Sequence, residues 1–255
     1  MRIAFVGCMV MNREISALIA KSDHLVRAWW LRQGLHCTPD RLRAEVQEAV
    51  DAVERERALF ERDQENNFGM GFDAICLGYG LCSNGVVGVR ARTLPIVVPR
   101  CDDCISLFLG SAERYRTLFA EKPGVYWYNA GWMEQGFVPT KENYEAQRAW
   151  YAEQYGEENA DFLLESKNDW MGKYQHCGFI SCPLRDDGPY EACAKQAAAD
   201  FGWQYFREEG DLTYFDRLIN GPWDEDAFLI CPPGHRIAAD YTGTRKLRAE
   251  PIETT

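Results

Sequence analysis

Ala74-Ile-Cys-Leu runs directly into Gly78-Tyr-Gly-Leu-Cys82-Ser-Asn-Gly85, a short apolar strand emptying into a glycine-rich loop that carries a thiol. An apolar run without polar alternation reads as a strand buried on both faces, as in a parallel sheet covered by helices. The loop misses the dinucleotide fingerprint, because four residues separate Gly80 from Gly85 where Gly-x-Gly-x-x-Gly has two. A thiol also stands where phosphate would approach, so nucleotide binding is not expected of it.

Two more predicted strands end the same way. A strand over 2–6 leads to Cys8, and one over 94–98 leads to Arg100-Cys-Asp-Asp-Cys104. Ligands of open α/β sheets sit outside the carboxyl ends of the strands, so Cys8, Cys82, Cys101 and Cys104 are expected to converge on one crevice. A short helix over 12–21 follows the first strand, with Asn12 placed to cap it and Glu14 near the positive end of its dipole. Leu42, Val46, Ala49, Val53 and Phe60 recur near helical spacing over 39–63, and Pro39 suits the first turn of that helix. Phe68-Gly-Met-Gly-Phe-Asp73 breaks it.

The pair Cys101 and Cys104 precedes a helix expected from about residue 105 through Leu118. The positive end of its dipole is expected to lower the thiol pKa values there. A fourth strand over 125–128 ends at Gly131-Trp-Met-Glu134, placing Trp132 and Glu134 as walls at the same sheet edge.

Beyond residue 140 come two acidic helices broken near Gly156, then strands at 178–182, 203–206 and 227–231 alternating with helices at 190–201 and 212–219. Such alternation implies parallel strands joined by crossover helices. The expected fold class is α/β, with two Rossmann-like halves, mainly parallel sheets and an inter-domain crevice. The halves are an N-terminal domain over 1–140 carrying the cysteine cluster, and a helical connection with a smaller α/β unit over 141–255.

Composition limits the function. With 28 basic against 39 acidic residues the net charge is −11, which repels polyanions and argues against nucleic acid as a partner. No apolar run approaches the ~18 residues that a membrane span needs, and the amino terminus Met1-Arg-Ile-Ala-Phe-Val reads as a strand. A cytoplasmic protein with no membrane partner is expected. Ten cysteines in that reducing compartment point to metal binding or catalysis rather than disulfides.

Thiolates delivered by separate loops bind zinc or an iron-sulfur cluster. A structural zinc site usually shows two Cys-x-x-Cys pairs, whereas here the single pair is joined by isolated Cys8 and Cys82. Three cysteines on a four-iron cluster would leave one iron open for Lewis-acid chemistry, and four would close it. The competing reading makes each thiol a small buried hydrophobe. That is the reading preferred for Cys37, Cys76, Cys177, Cys182, Cys193 and Cys231, with His176 and His235 beside some of them. Asp102, Asp103 and Glu134 are candidate proton donors, the two aspartates being equally suited to start the following helix. Gly80 and Asn84 complete the candidate cofactor loop.

These residues carry a family resemblance. Cys8 with Arg13-Glu-Ile15, Gly78 through Gly85, Pro99 through Cys104, Leu109-Gly-Ser111 with Arg114-Tyr115, Pro123 through Trp132, and Pro232-Pro-Gly234 together resemble an uncharacterised family, domain of unknown function 1638, of methanogens and bacteria. The third motif of that family usually reads Arg-Ala-His-Asp-Cys, so Cys101 and Asp102 stand where alanine and histidine are the rule. The resemblance therefore implies Cys8, Cys82 and Cys104 as the shared trio, with Cys101 as an optional extra ligand. Family genes often lie beside corrinoid methyltransferase genes, which implies a setting in one-carbon metabolism and, as partner, a small-molecule substrate or a corrinoid methyltransferase protein. The trio is also similar in layout to the three-cysteine, open-iron site of quinolinate synthase.

The resulting expectation is a [4Fe-4S] cluster on Cys8, Cys82 and Cys104, with Cys101 as the swing residue. It would serve a lyase, a methyltransferase or an accessory protein of methyl transfer. The alternatives are a zinc-thiolate methyltransferase, or a metal-free binding module that uses Trp132 and its aromatic neighbours.

Overall fold

The computed structural model describes residues 1–62 and 70–252, with the side chains of 167–170 excepted. The elements, in chain order, are β1 (Arg2–Cys8), α1 (Asn12–Ile19), β2 (Leu25–Leu31), α2 (Pro39–Arg62), β3 (Ala74–Gly78), β4 (Ile96–Pro99), α3 (Cys104–Phe108) and α4 (Ala112–Glu121). Then come β5 (Val125–Tyr128), α5 (Ala130–Gln135), α6 (Lys141–Tyr155), α7 (Glu157–Asn168), β6 (His176–Ser181), α8 (Gly188–Phe201) and β7 (Gln204–Glu209). The chain ends with α9 (Thr213–Asn220), β8 (Phe228–Cys231), β9 (His235–Asp240) and β10 (Lys246–Pro251). The fold is α/β.

The chain forms two compact units, Met1–Arg114 with Asp211–Thr255, and Tyr115–Gly210. The second is thus an insertion in the first, and the division differs from the boundary expected at 140. Strand pairing gives the reason. β5 pairs in parallel with β6 and joins the sheet of the inserted unit, whereas β8 pairs with β4 of the first unit. The return of the chain is fixed by Asp211 N–H donating to Phe108 O at 3.0 Å.

The first unit is built on a five-stranded sheet of order β2-β1-β3-β4-β8. β1, β2, β3 and β4 are parallel, but β8 is antiparallel to β4, correcting the expectation of crossover-linked parallel strands to the end of the chain. Alternation of side chains sends Ala4, Val6, Ile75, Leu77, Ile96 and Val98 to one face, where Leu42, Val46, Ala49, Val50 and Val53 of α2 cover them. In α9, Tyr214, Phe215, Leu218 and Ile219 are buried, with Phe108 edge-on to Phe215 and Tyr214 edge-on to Phe228. The antiparallel hairpin β9–β10 contributes Ile237 and Leu247 to the α2-side core.

In the inserted unit, β5, β6 and β7 form a parallel sheet in that order. Its core is aromatic and alanine-rich, with Tyr128, Phe179, Ala194, Ala197, Ala198 and Trp203 buried and Tyr126, Trp132 and Tyr144 packed against them.

Several local expectations are corrected. Asn12 is the first residue of α1 rather than its cap, which is Met11, and its amide donates to Met9 Sδ while its oxygen accepts from Ser16 Oγ. The helix expected over 105–118 is two helices, α3 and α4, parted at Gly110, whose φ of 74° favours a residue without a side chain. Strand β2 and the β9–β10 hairpin were not expected. The break expected from Phe68 falls partly outside the described residues.

Candidate metal-thiolate site

The sheet order reverses at β1: the chain goes from β1 to β2 on one side and returns to β3 on the other. The crevice beyond the carboxyl ends of β1 and β3 is therefore the topological switch point, where such sheets bind ligands. Gly7 of β1 lies opposite Gly78 of β3. Cys8 and Tyr79 are the next residues on each strand, and both belong to one packed cluster with Cys82.

Two loops are tied together at this edge. Leu81 N–H donates to Cys101 O and Cys82 N–H to Asp102 O, each at 2.8 Å. The approach is so close that a Cβ on Gly80 would lie 2.6 Å from Cys101 O and 2.8 Å from Cys101 Sγ. Cys82, Ser83 and Asn84 follow with φ of 45°, 56° and 66°. This left-handed turn costs L-residues roughly 1–2 kcal/mol each, less for asparagine. Fixed backbone bonds, rather than side-chain packing alone, therefore set where Cys82 points.

All four cysteines come from the first unit, so the candidate site is assembled within that unit. Cys82 and Cys101 are buried, Cys8 and Cys104 half-buried, and all four are free thiols. Burial pushes the Cys82 thiol up to about 12, with the Asp103 carboxylate adding to it. Burial likewise holds Cys101 and Cys104 well above the ordinary thiol value, and Cys8 above it. This overturns the expectation that the start of α3 would lower the pKa at Cys101 and Cys104. α3 is a short helix, and loss of hydration outweighs its dipole while the charge of Asp103 acts in the same direction as burial.

The thiols feel one another's charge: Cys104 that of Cys82, Cys8 and Cys101, Cys101 that of Cys82, and Cys82 that of Cys8. Opposing burial are the backbone N–H groups of Val10 and Met9 at Cys8 and of Gly80 at Cys82, with the Ser106 hydroxyl near enough to Cys101 to act in the same direction. Among the described residues no three of His, Cys, Asp or Glu stand at metal-ligand spacing.

Two buried hydroxyls here have no hydrogen-bond partner: Tyr79 Oη and Ser106 Oγ. Tyr79 is 4% exposed, and its phenol is held above its ordinary pKa by burial and by the charges of Cys8, Cys82, Glu45 and Cys104. A buried unsatisfied hydroxyl costs about 1–3 kcal/mol. Phenylalanine would fill the same space without that cost. Hydroxyl and amide donors around clustered thiols suit an anionic sulfur centre, in which a metal holds the thiols deprotonated. Tyr79 escaped the sequence reading although it stands inside the quoted loop. Its signal would have been a tyrosine between two glycines at the end of an apolar strand.

The other candidates fall differently. Asp103 caps α3, its carboxylate accepting from Ile105 N–H at 2.9 Å. Asp102 pairs with Lys246 at 3.1 Å, half-exposed. Asn84 Oδ1 accepts from the Tyr241 hydroxyl at 2.8 Å, which ties down the end of the loop. Glu134 and Trp132 belong to the inserted unit and do not share the cysteines' sheet. There Glu134 accepts from Arg185 and from the Tyr190 hydroxyl, at 3.1 and 2.6 Å, and Trp132 lies edge-on to Tyr126 and Tyr128. Cys177 donates to Ala194 O in the core, and Cys76 and Cys231 are buried in the first unit.

No curated protein and no solved structure matches the chain. The family described as protein of unknown function (DUF1638) matches residues 30–219, a span that holds Cys82, Cys101 and Cys104 and begins after Cys8. Covering most of the 255 residues, that match shows that the chain belongs to the DUF1638 family.

Proposed function

We propose that this protein holds an iron-sulfur cluster, a [4Fe-4S] centre, on Cys8, Cys82 and Cys104, with or without Cys101 as a fourth thiol. One observation carries the reading: thiols that follow three separate strands of one sheet lie near enough to feel one another's charge, beside a buried tyrosine hydroxyl that makes no hydrogen bond. A metal bound there would hold the sulfurs as thiolates and release their protons. Amide and hydroxyl donors at the sulfurs are among the features that set cluster potentials.

When bound, such a cluster supplies electron transfer if all four irons carry thiolates and a Lewis-acid position if one does not. The chain's own residues hold the sulfurs, exclude water and offer hydrogen bonds to them. The reading extends to a catalytic or accessory role in corrinoid-linked one-carbon metabolism, as a lyase or methyltransferase acting on a small molecule or beside a corrinoid protein. It also places the protein in the cytoplasm. Among the described residues no helix is long and apolar enough to cross a membrane, and the cysteines of the site are free.

The test is anaerobic purification with iron, acid-labile sulfide and zinc analysis. Brown protein with about four irons per chain is expected for a four-iron cluster, and Cys82→Ser should lose it. Colourless protein with stoichiometric zinc would replace the cluster by a zinc-thiolate centre on the same residues. Protein with neither metal would end the reading.

A further inference from the structure

We propose that the Tyr79 hydroxyl is the hydrogen-bond donor to the sulfur centre held by Cys8, Cys82 and Cys104, a positioning residue that tunes the charge the centre carries. This rests on the metal-thiolate reading above and assigns a role that reading leaves open. Tyr79 follows Gly78, the last residue of β3, and its ring packs in the same core cluster as Cys82 and Cys8. The ring is almost fully buried, yet its oxygen meets no donor or acceptor. The groups whose charge it feels are Cys8, Cys82, Cys104 and Glu45, so three of the four are thiols, while Glu45 Oε1 accepts from Arg41 at 2.8 Å.

A neutral thiol is a weak acceptor, whereas a metal-bound thiolate or sulfide carries negative charge and accepts strongly. A phenol turned toward such sulfur stabilises the more negative, reduced form, as hydrogen bonds to cluster sulfurs do. Tyr79 has no need to ionise for this and supplies no bond to the metal. Its contribution is one O–H donated in buried surroundings of low dielectric.

The experiment compares the parent chain with Tyr79→Phe, both loaded anaerobically with iron and sulfide and both also stripped with chelator. Three results are expected: equal iron and sulfide content, a midpoint potential shifted to more negative values in Y79F, and a stripped Y79F that melts no lower than the stripped parent. A loaded Y79F with the parent's potential overturns the inference while leaving the cluster reading intact. So does a stripped Y79F that melts several degrees lower, since the hydroxyl would then have a partner in the chain. A folded Y79F holding far less iron than the parent makes the oxygen a ligand and overturns it as well. A parent that retains no iron or sulfide fails the reading itself, and this inference with it.

Discussion

Gly80→Ala tests the geometry of the site without reference to any metal. The backbone of Gly80 is not left-handed, so alanine is conformationally allowed there and the cost comes from contact alone. The new methyl would stand 2.6 Å from Cys101 O, 2.8 Å from Cys101 Sγ and 3.0 Å from Asp103 N. Two of these are backbone atoms that cannot swing aside, so the loops must part. Parting stretches the Leu81–Cys101 and Cys82–Asp102 hydrogen bonds, worth about 1 kcal/mol each, and overpacking adds about 1–3 kcal/mol. Stiffening the unfolded chain returns about 0.4–1 kcal/mol. The net is about 3 kcal/mol, which lowers the melting temperature by roughly 6–12 °C in a chain of this size. Calorimetry of chelator-stripped protein measures it, and labelling with an aromatic disulfide should show Cys101 newly reactive. Gly243→Ala is the control, because nothing lies within 4 Å of a Cβ there. A Gly80→Ala protein that melts with the control and keeps Cys101 shielded would refute the close approach of the two loops.

Asp103→Ala removes the cap of α3 and should destabilise the protein by about 1 kcal/mol, with Asp103→Asn recovering most of it; equal melting of all three proteins would deny the capping role. Alkaline pH should weaken the chain through its core thiols. Burial raises Cys76, lifts Cys177 to about 12 and Cys231 to about 11, all above the ordinary value of 9.0. A raised acid group contributes its stability in full below the unfolded pKa and loses it as pH climbs through the folded one. The window therefore opens near pH 9, and by pH 10 each such thiol costs about 1.4 kcal/mol. Urea midpoints at pH 8 and pH 10 measure it, and an unchanged midpoint would contradict the burial of these thiols.

How much of this was legible in the sequence depended on burial. β1, β3 and β4 are covered on both faces, so they read as unbroken apolar runs, and their ends located the thiols. Strand β2, Leu-Val-Arg-Ala-Trp-Trp-Leu, lies at the sheet edge with most residues half-exposed, and its mixed pattern matches neither template. In the β9–β10 hairpin Arg236 and Glu250 meet on the outer face while Ile237 and Leu247 turn inward, a period-2 signal diluted by short strands. The insertion was invisible because it is non-local: whether Val125–Tyr128 pairs with β4 or with β6 is decided by tertiary contacts. The partners of Glu134 were invisible for the same reason, since Arg185 and Tyr190 lie some fifty residues onward. The Tyr79 hydroxyl could be recognised as unsatisfied only once its surroundings were known.

On the proposed reading, the number of thiols bound turns on Cys101, and the structure treats that residue differently from the trio. Cys8 and Cys82 are favoured as thiolates by backbone N–H groups, which any sequence could supply, whereas Cys101 is favoured by a side chain, Ser106. That serine is buried in α3 and has no partner while the thiol is neutral. A buried hydroxyl kept beside a thiol at a cost of about 1–3 kcal/mol is best explained if the thiol becomes an anion. The backbone argues the same way, because the loop of Gly80 is pressed against Cys101 and fixes its sulfur at the edge of the crevice. At position 101 this chain thus has a cysteine with a hydroxyl nearby and a glycine that makes room for it. These features together favour a centre closed by four thiolates over one left open for substrate.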